Sequence, residues 1–334
     1  MLRRTFAVAV LAGAATPALG QTLAPPPPPP DPPRPEARHA NADEALDALQ
    51  RRRWRRVSDI VAGLPPDSAS ALLDDLSDMT EVNSHFDAIA GQRMGRTLLG
   101  ALELGWGWRF RGHGWSSQVR PNAFAEFQTR LTRARDQLAA ALVEDANDGV
   151  AASTLISVQL GLEDVDAIRT AFRSFEAASR KPVYGYSAYA NAVSEKWFGS
   201  QQEMLIFARS HAASLPPASQ ALVAMAHTES MFRLAQSENP QVAATAENYL
   251  KEARVLHEIY RASNAFDALP PPTDRYRARF AWGHFSFAFY MAGEHNAARP
   301  YMQALGDVPA GAWTRFDDNQ LFEGARRELG LSTL

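Results

Sequence analysis

The chain has 334 residues, 46% of them hydrophobic and 21% charged, so it can bury a real core and is not disordered overall. With 34 basic and 37 acidic side chains the formal charge is −3, and the two signs are mixed along most of the chain, which argues against a nucleic-acid-binding protein. There is no cysteine, which excludes disulfides, thiolate metal sites, a thiol nucleophile and a lipid-modified N-terminal cysteine.

The first residues read as an export signal, residues 1–20: Arg3 and Arg4, an apolar run from Phe6 to Ala15 too short to span a bilayer, and small residues at Ala18-Leu-Gly20 before Gln21. The Arg3-Arg4-Thr5-Phe6 order also resembles a twin-arginine signal, although Leu2 and Ala7 fit that pattern poorly. The expected location is periplasmic or secreted, with no transmembrane segment in the mature chain; an uncleaved anchor is the competing reading. Residues 21–40 form a proline-rich linker whose Pro25 to Pro35 stretch favours an extended polyproline helix and no packed core. It reads as a stiff spacer ahead of a helical domain at 41–334.

Asn41 or Asp43 can cap a first helix through Ala45, Leu49, Trp54, Val57 and Val61, stopped by Gly63-Leu-Pro-Pro66. The Arg51-Arg-Arg-Trp-Arg-Arg56 run within it spreads around the helix and reads as a solvated surface with Trp54 toward the core; contact with an anionic lipid or wall polymer is the alternative. A second helix is expected over 68–76 and a third over 85–106. The third delivers the densest stretch of the chain, Leu104-Gly-Trp-Gly-Trp-Arg-Phe-Arg-Gly-His-Gly-Trp115, whose glycines are expected to break the helix before the next one starts at Pro121.

From Pro121 a regularity sets in. Ala134, Leu138 and Ala141 share one helical face, and the same spacing recurs at Ala171, Phe175, Ala178, at Ala208, Ala212, Leu215 and at Ala246, Leu250, Ala253, close to a 37-residue period. Small residues at that period are what stacked helical hairpins need at their crossings. The clearest units are 121–180, 183–263 and 275–310. In the last, Trp282-x2-Phe285-x3-Phe289-Tyr290, Gly293, Ala298-x2-Tyr301-Met302 and Leu305 resemble the tetratricopeptide pattern, with Ser286 where a glycine is usual and Met302 for an aromatic. The predicted fold is all-α, a tetratricopeptide-like α-solenoid of antiparallel helical hairpins.

A wider resemblance rests on Trp106-x-Trp108-x2-Arg111-Gly112, Phe127-x3-Leu131-x2-Ala134, Leu142-x2-Asp145-x2-Asp148, Gly161-Leu162, Lys196-Trp197-Phe198-Gly199-Ser200 and Glu203-Met204-Leu205-x-Phe207-Ala208-Arg209. Together these resemble an uncharacterised bacterial family, a domain of unknown function with tetratricopeptide-like repeats, over roughly residues 95–235. The resemblance implies a helical-repeat fold and brings no activity with it; Phe198 departs from the glycine expected there.

Two motifs supply the candidate binding residues: Trp106, Trp108, Arg109, Arg111, Gly112, His113 and Trp115 in the first, Lys196 and Trp197 in the second. Indole faces and guanidinium forks can hold a sugar, a peptide or an anionic group, and a histidine can titrate near neutral pH. Equally, tryptophans fill gaps between helices and glycines turn the chain. In the second motif Gly199 is expected as a left-handed stop, with Ser200 and Glu203 as a capping box for the next helix.

Catalytic and metal signatures are missing: there is no His-Glu-x2-His pair, no Gly-x-Ser-x-Gly elbow and no phosphate loop. Paired acids such as Asp74-Asp75 and Asp317-Asp318 read as solvated, and no cofactor or metal is expected. The sequence therefore points to an exported scaffold with a protein or peptide partner in the cell envelope. The competing reading is an enzyme binding or hydrolysing an envelope polymer, a glycan or a peptide, with His113 and Glu103 as acid and base.

Overall fold

The computed structural model describes residues 38–80, 84–112, 119–315 and 319–331; the export signal, most of the proline-rich linker, His113 and Trp115 lie outside them. Every regular element among the described residues is a helix, and none is long and apolar enough to cross a membrane.

The first expected helix is two. α1 (Ala42–Gln50) ends where Arg52 turns left-handed at φ 57°, and α2 (Trp54–Gly63) follows. The turn brings a second apolar face, Val57, Ile60 and Val61, onto the core already formed by Ala45, Ala48 and Leu49. The arginines around the turn point to solvent and pair locally, Arg51 with Asp47 at 2.6 Å and Arg56 with Glu44. Trp54 is half-buried, edge-on to Phe86. α3 (Pro66–Met79) starts on a proline that has no N–H to leave unpaired.

The expected helix over 85–106 is also displaced. A 3-10 segment (Ser84–Gly91) precedes α4 (Gly95–Arg111), which runs straight through Gly105 and Gly107 instead of breaking there. Those glycines are contact points. A Cβ on Gly105 would lie 2.2 Å from Ser77 Oγ, and one on Gly100 2.4 Å from Leu138 Cγ, so their bareness lets α4 lie close to α3 and α5 (Pro121–Glu144). The helix stops only at Gly112, whose φ is +74°.

α6 (Gly149–Gly161) is buried along its whole length, the behaviour of a helix apolar on every side. It packs against α3, α4, α5, α7 (Val165–Ala177) and α8 (Val183–Ala192). α10 (Ala221–Ala235), buried from Ala221 to Thr228, packs against α8, α9 (Gln201–His211), α11 (Pro240–Tyr249), α12 (Ala253–Asp267) and α13 (Arg275–Met291). α14 (His295–Leu305), a 3-10 turn (Gly311–Arg315) and α15 (Gln320–Glu328) complete the chain.

The 37-residue regularity survives in part. Its first two triplets are buried on or at the end of α5 and α7, but Leu215 falls beyond α9 and Ala253 is exposed at the start of α12. α13 and α14 do form the expected pair, turning at Gly293 (φ +80°) and burying Phe285, Phe289, Ala298, Met302 and Leu305. Ser286 has a purpose there: its Oγ accepts the Trp313 indole N–H at 2.8 Å.

An open helical array touches only its sequence neighbours. Here α3 packs on α13, and the seam is polar and buried. The Asp274 carboxylate caps α13 at Tyr276 N and also accepts from Asp67 N, Ser68 N and Ser68 Oγ. Asp67 in turn accepts from Val183 N at 2.8 Å and Arg277 Nε at 2.6 Å. Two carboxylates thus meet the positive N-terminal ends of α3, α8 and α13, where helix dipoles favour them. Burial still raises Asp67 to about 6, with Arg277 opposing.

Candidate functional site

Helical spacing splits the Trp-rich stretch in two. Trp106 and Arg109 share one side of α4: the indole N–H reaches Thr80 O, the guanidinium lies 4.7 Å over the indole and Arg109 Nη1 donates to Asp78 O at 2.6 Å. This pair staples α4 to the end of α3. Trp108 and Arg111 share another side. Trp108 is buried edge-on to Phe127, and Arg111 lies 5.3 Å over its ring, its pKa lowered by burial against the raising effect of Glu163. The described part of the stretch is therefore not one aromatic face: Trp106 and Arg109 form a fastening, Trp108 is core and Phe110 is exposed.

The second motif sits in the turn after α8, which ends at Ala192, ahead of Lys196 and Trp197. Trp197 is half-buried against the core. Gly199 is not left-handed; it is required because a Cβ would fall 2.2 Å from Val193 O, where the chain doubles back. Ser200 caps α9 as expected, its Oγ accepting from Glu203 N at 3.1 Å.

Both motifs reach the same interior. A cleft of about 170 Å³ opens between α3, α6, α8, α10, α13 and the 3-10 turn, with Asp74, Ser157, Lys196, Glu229, His284 and Arg315 among its walls. A smaller cavity of about 50 Å³, lined by Ser70, Leu73, Leu104 and Trp108, shares Asp74 and Ser157 with it. Arg111 is close enough to Lys196 for its charge to be felt there. Although 85 residues separate Arg111 from Lys196 in sequence, the fold joins them.

The walls of the two spaces are polar in an unusual way. Among the described residues, Ser157 Oγ and His284 Nδ1 at the cleft, and Ser70 Oγ and Trp108 Nε1 at the smaller cavity, are buried without a hydrogen-bond partner. Buried polar groups normally have partners, and an unmade bond costs about 1–3 kcal/mol. Burial alone drives the His284 pKa down to about 3, so the ring is neutral. Lys196, whose residue as a whole is exposed, also lines the cleft; desolvation of its ammonium there, then the charges of Arg315 and Arg111, bring it down to about 7. Arg315 pairs with Glu229 and lies 4.5 Å over Phe232, and burial lowers it to about 10. Arg279 is committed to structure, donating to the carbonyls of Leu305, Val308 and Pro309.

Of these residues only Trp108 and Lys196 stood out in the sequence, together with Arg111 beside them. Asp74 and Asp75 are not a solvated pair: Asp74 lines the cleft, and Asp75 is buried and accepts from His39 N. Ser157 carried a signal in retrospect, a hydroxyl inside a helix that is otherwise mostly apolar. Glu103 lies outside the cleft, buried in an ion pair with Arg130 at 3.0 Å; burial raises its pKa and Arg130 opposes. Among the described residues no group of three His, Asp or Glu could hold a metal ion. No family model, curated protein or solved structure matches the chain.

Proposed function

We propose that this is a ligand-binding module, an exported scaffold of tetratricopeptide-like helix pairs whose working site is the cleft between α3, α6, α8, α10 and α13. The observation that carries the reading is the pair of buried polar atoms on its walls, Ser157 Oγ and His284 Nδ1, that have no partner among the described residues, with Ser70 Oγ and Trp108 Nε1 alike in the smaller cavity beside it. The volume sets the scale of the ligand. An apolar cavity of roughly 150 Å³ holds a benzene molecule, so a cleft of about 170 Å³ takes a small molecule or the end group of a larger partner. A peptide partner would therefore enter by one side chain or its terminus. Glu103, the acid of the hydrolase reading, stands in an ion pair away from the cleft, so binding is the better-supported activity.

The test is a screen of benzene- to indole-sized fragments by thermal shift, repeated on Ala71→Leu, which narrows the cleft from α3. Fragments that stabilise the wild type and lose their effect in Ala71→Leu support the reading. An Ala71→Leu protein that is more stable, in a screen where no fragment binds either form, makes the cleft a packing gap.

A further inference from the structure

We propose that the cleft binds a neutral polyhydroxylated ring, one sugar unit in size, whose hydroxyls are held by Asp74, Ser157, Asn191 and His284. The inference rests on the cleft being the binding site and adds the chemistry of what fills it. Asp74 comes from α3, Ser157 from α6, Asn191 from α8 and His284 from α13, and all of them line the cleft itself. Ser157 Oγ and His284 Nδ1 are buried, and no described residue bonds to either. Asp74 and Asn191 are engaged through their main-chain carbonyls, which accept from Ser77 Oγ and Ser194 Oγ. Among the described residues nothing bonds to the Asp74 carboxylate or to the Asn191 side-chain amide.

The demand of this wall is mixed. A carboxylate only accepts, a serine hydroxyl and a carboxamide do both, and a neutral imidazole donates from one nitrogen and accepts at the other. A carboxylate ligand has nothing to donate to Asp74, and an ammonium has nothing with which to accept from the Asn191 amide. A hydroxyl donates and accepts through a single oxygen, so several on one ring answer all of these side chains. The wall's arginines are committed elsewhere, Arg315 to Glu229 and Arg279 to main-chain carbonyls. Tyr184 and Phe280, edge to face at 5.9 Å, and Met225 leave apolar surface for the C–H groups of the ring.

Glucose, galactose, mannose and myo-inositol present different hydroxyl stereochemistry on rings of one size, and cyclohexanol is such a ring with a single hydroxyl. Saturation-transfer NMR titrations of each into the full chain, Asp74→Asn and Ser157→Ala test the proposal. At least one of the polyols is expected to bind at millimolar concentration, and more tightly than cyclohexanol. Asp74→Asn should weaken that polyol by about tenfold while leaving cyclohexanol within a factor of about three, the scale of one hydrogen bond to a charged group. Ser157→Ala should weaken it without lowering the unfolding midpoint, because the hydroxyl has no described partner to lose; this second variant decides the matter if Asp74→Asn does not fold. Cyclohexanol binding as tightly as every polyol, a bound polyol indifferent to both variants, or glucuronate or glucosamine binding about tenfold more tightly than the best neutral polyol, overturns the neutral polyol and leaves the cleft as a site. Absence of binding by all of these probes at millimolar concentration overturns both.

Discussion

His284 gives the sharpest handle on the interior of the cleft. Its pKa falls from 6.5 to about 3 through burial alone. As pH drops below 6.5 the unfolded chain takes up a proton that the folded chain refuses until about 3, so stability present above 6.5 is lost across that window. Each pH unit is worth about 1.4 kcal/mol, or about 2 kcal/mol by pH 5. Asp67 acts oppositely: its folded pKa of about 6 lies above 3.8, so on acidification the folded chain binds the proton first. That gain amounts to about 1.4 kcal/mol at pH 5, so the two groups largely cancel in the wild-type profile. His284→Leu, similar in volume and with no buried nitrogen, removes one side of the balance. Urea unfolding of both proteins at about pH 7.5 and about pH 5 reads the difference. The variant should gain about 2 kcal/mol on the wild type between the two pH values, with unchanged m. Parallel curves would mean that His284 titrates normally, is hydrated in the folded state, and does not sit in a dry wall.

Three other perturbations probe the framework around the cleft. Asp67→Ala leaves the buried Val183 N and the Nε of the half-buried Arg277 without their acceptor, while Arg277 keeps its bond to Lys181 O, and should cost about 1–3 kcal/mol in denaturant unfolding. Glu258 accepts two bonds from Arg209 and one from His227; the Arg209 bonds foremost lower it to about 2, so its contribution stands above 4.5 and is lost as pH falls toward 2. His227 is itself lowered, because its burial outweighs the carboxylate; as a neutral ring it donates from Nε2 to Glu258 and accepts Tyr249 O–H at Nδ1. Glu258→Gln should therefore cost about 1–3 kcal/mol near neutrality and flatten the acid limb below 4.5. Gly100→Ala places a methyl 2.4 Å from Leu138 Cγ and should lose about 1–3 kcal/mol by overpacking, read as a lower thermal midpoint.

What the sequence shows well is local chemistry. The start of α5 at Pro121, the Ser200 cap and the turn at Gly293 are each decided by a few adjacent residues, and all three stand where spacing and capping rules place them. Glycines mislead when their neighbours lie elsewhere in the chain: Gly105 looks like a helix breaker until Ser77 is seen against it, and Gly199 like a left-handed stop until Val193 O is. Asp67 and Arg277, 210 residues apart, bring the ends of the helical array together, and no periodicity announces such a pair. The Trp-rich stretch was visible by composition, but its division between fastening and core follows from the phase of a helix expected to have ended.

The cleft can also be argued from cost. The four buried polar atoms that lack protein partners would together cost about 4–12 kcal/mol if left dry, as much as the whole stability of an ordinary domain. Water, or a ligand that reproduces those bonds, would offset that cost. Ordered water needs two to four polar partners, and these atoms, held by α3, α4, α6 and α13, are shared between two adjoining cavities instead of gathered around one point. On the proposed function, a ligand that reaches these atoms would recover the bonds they lack, and the free energy gained over the displaced water would be the source of its affinity.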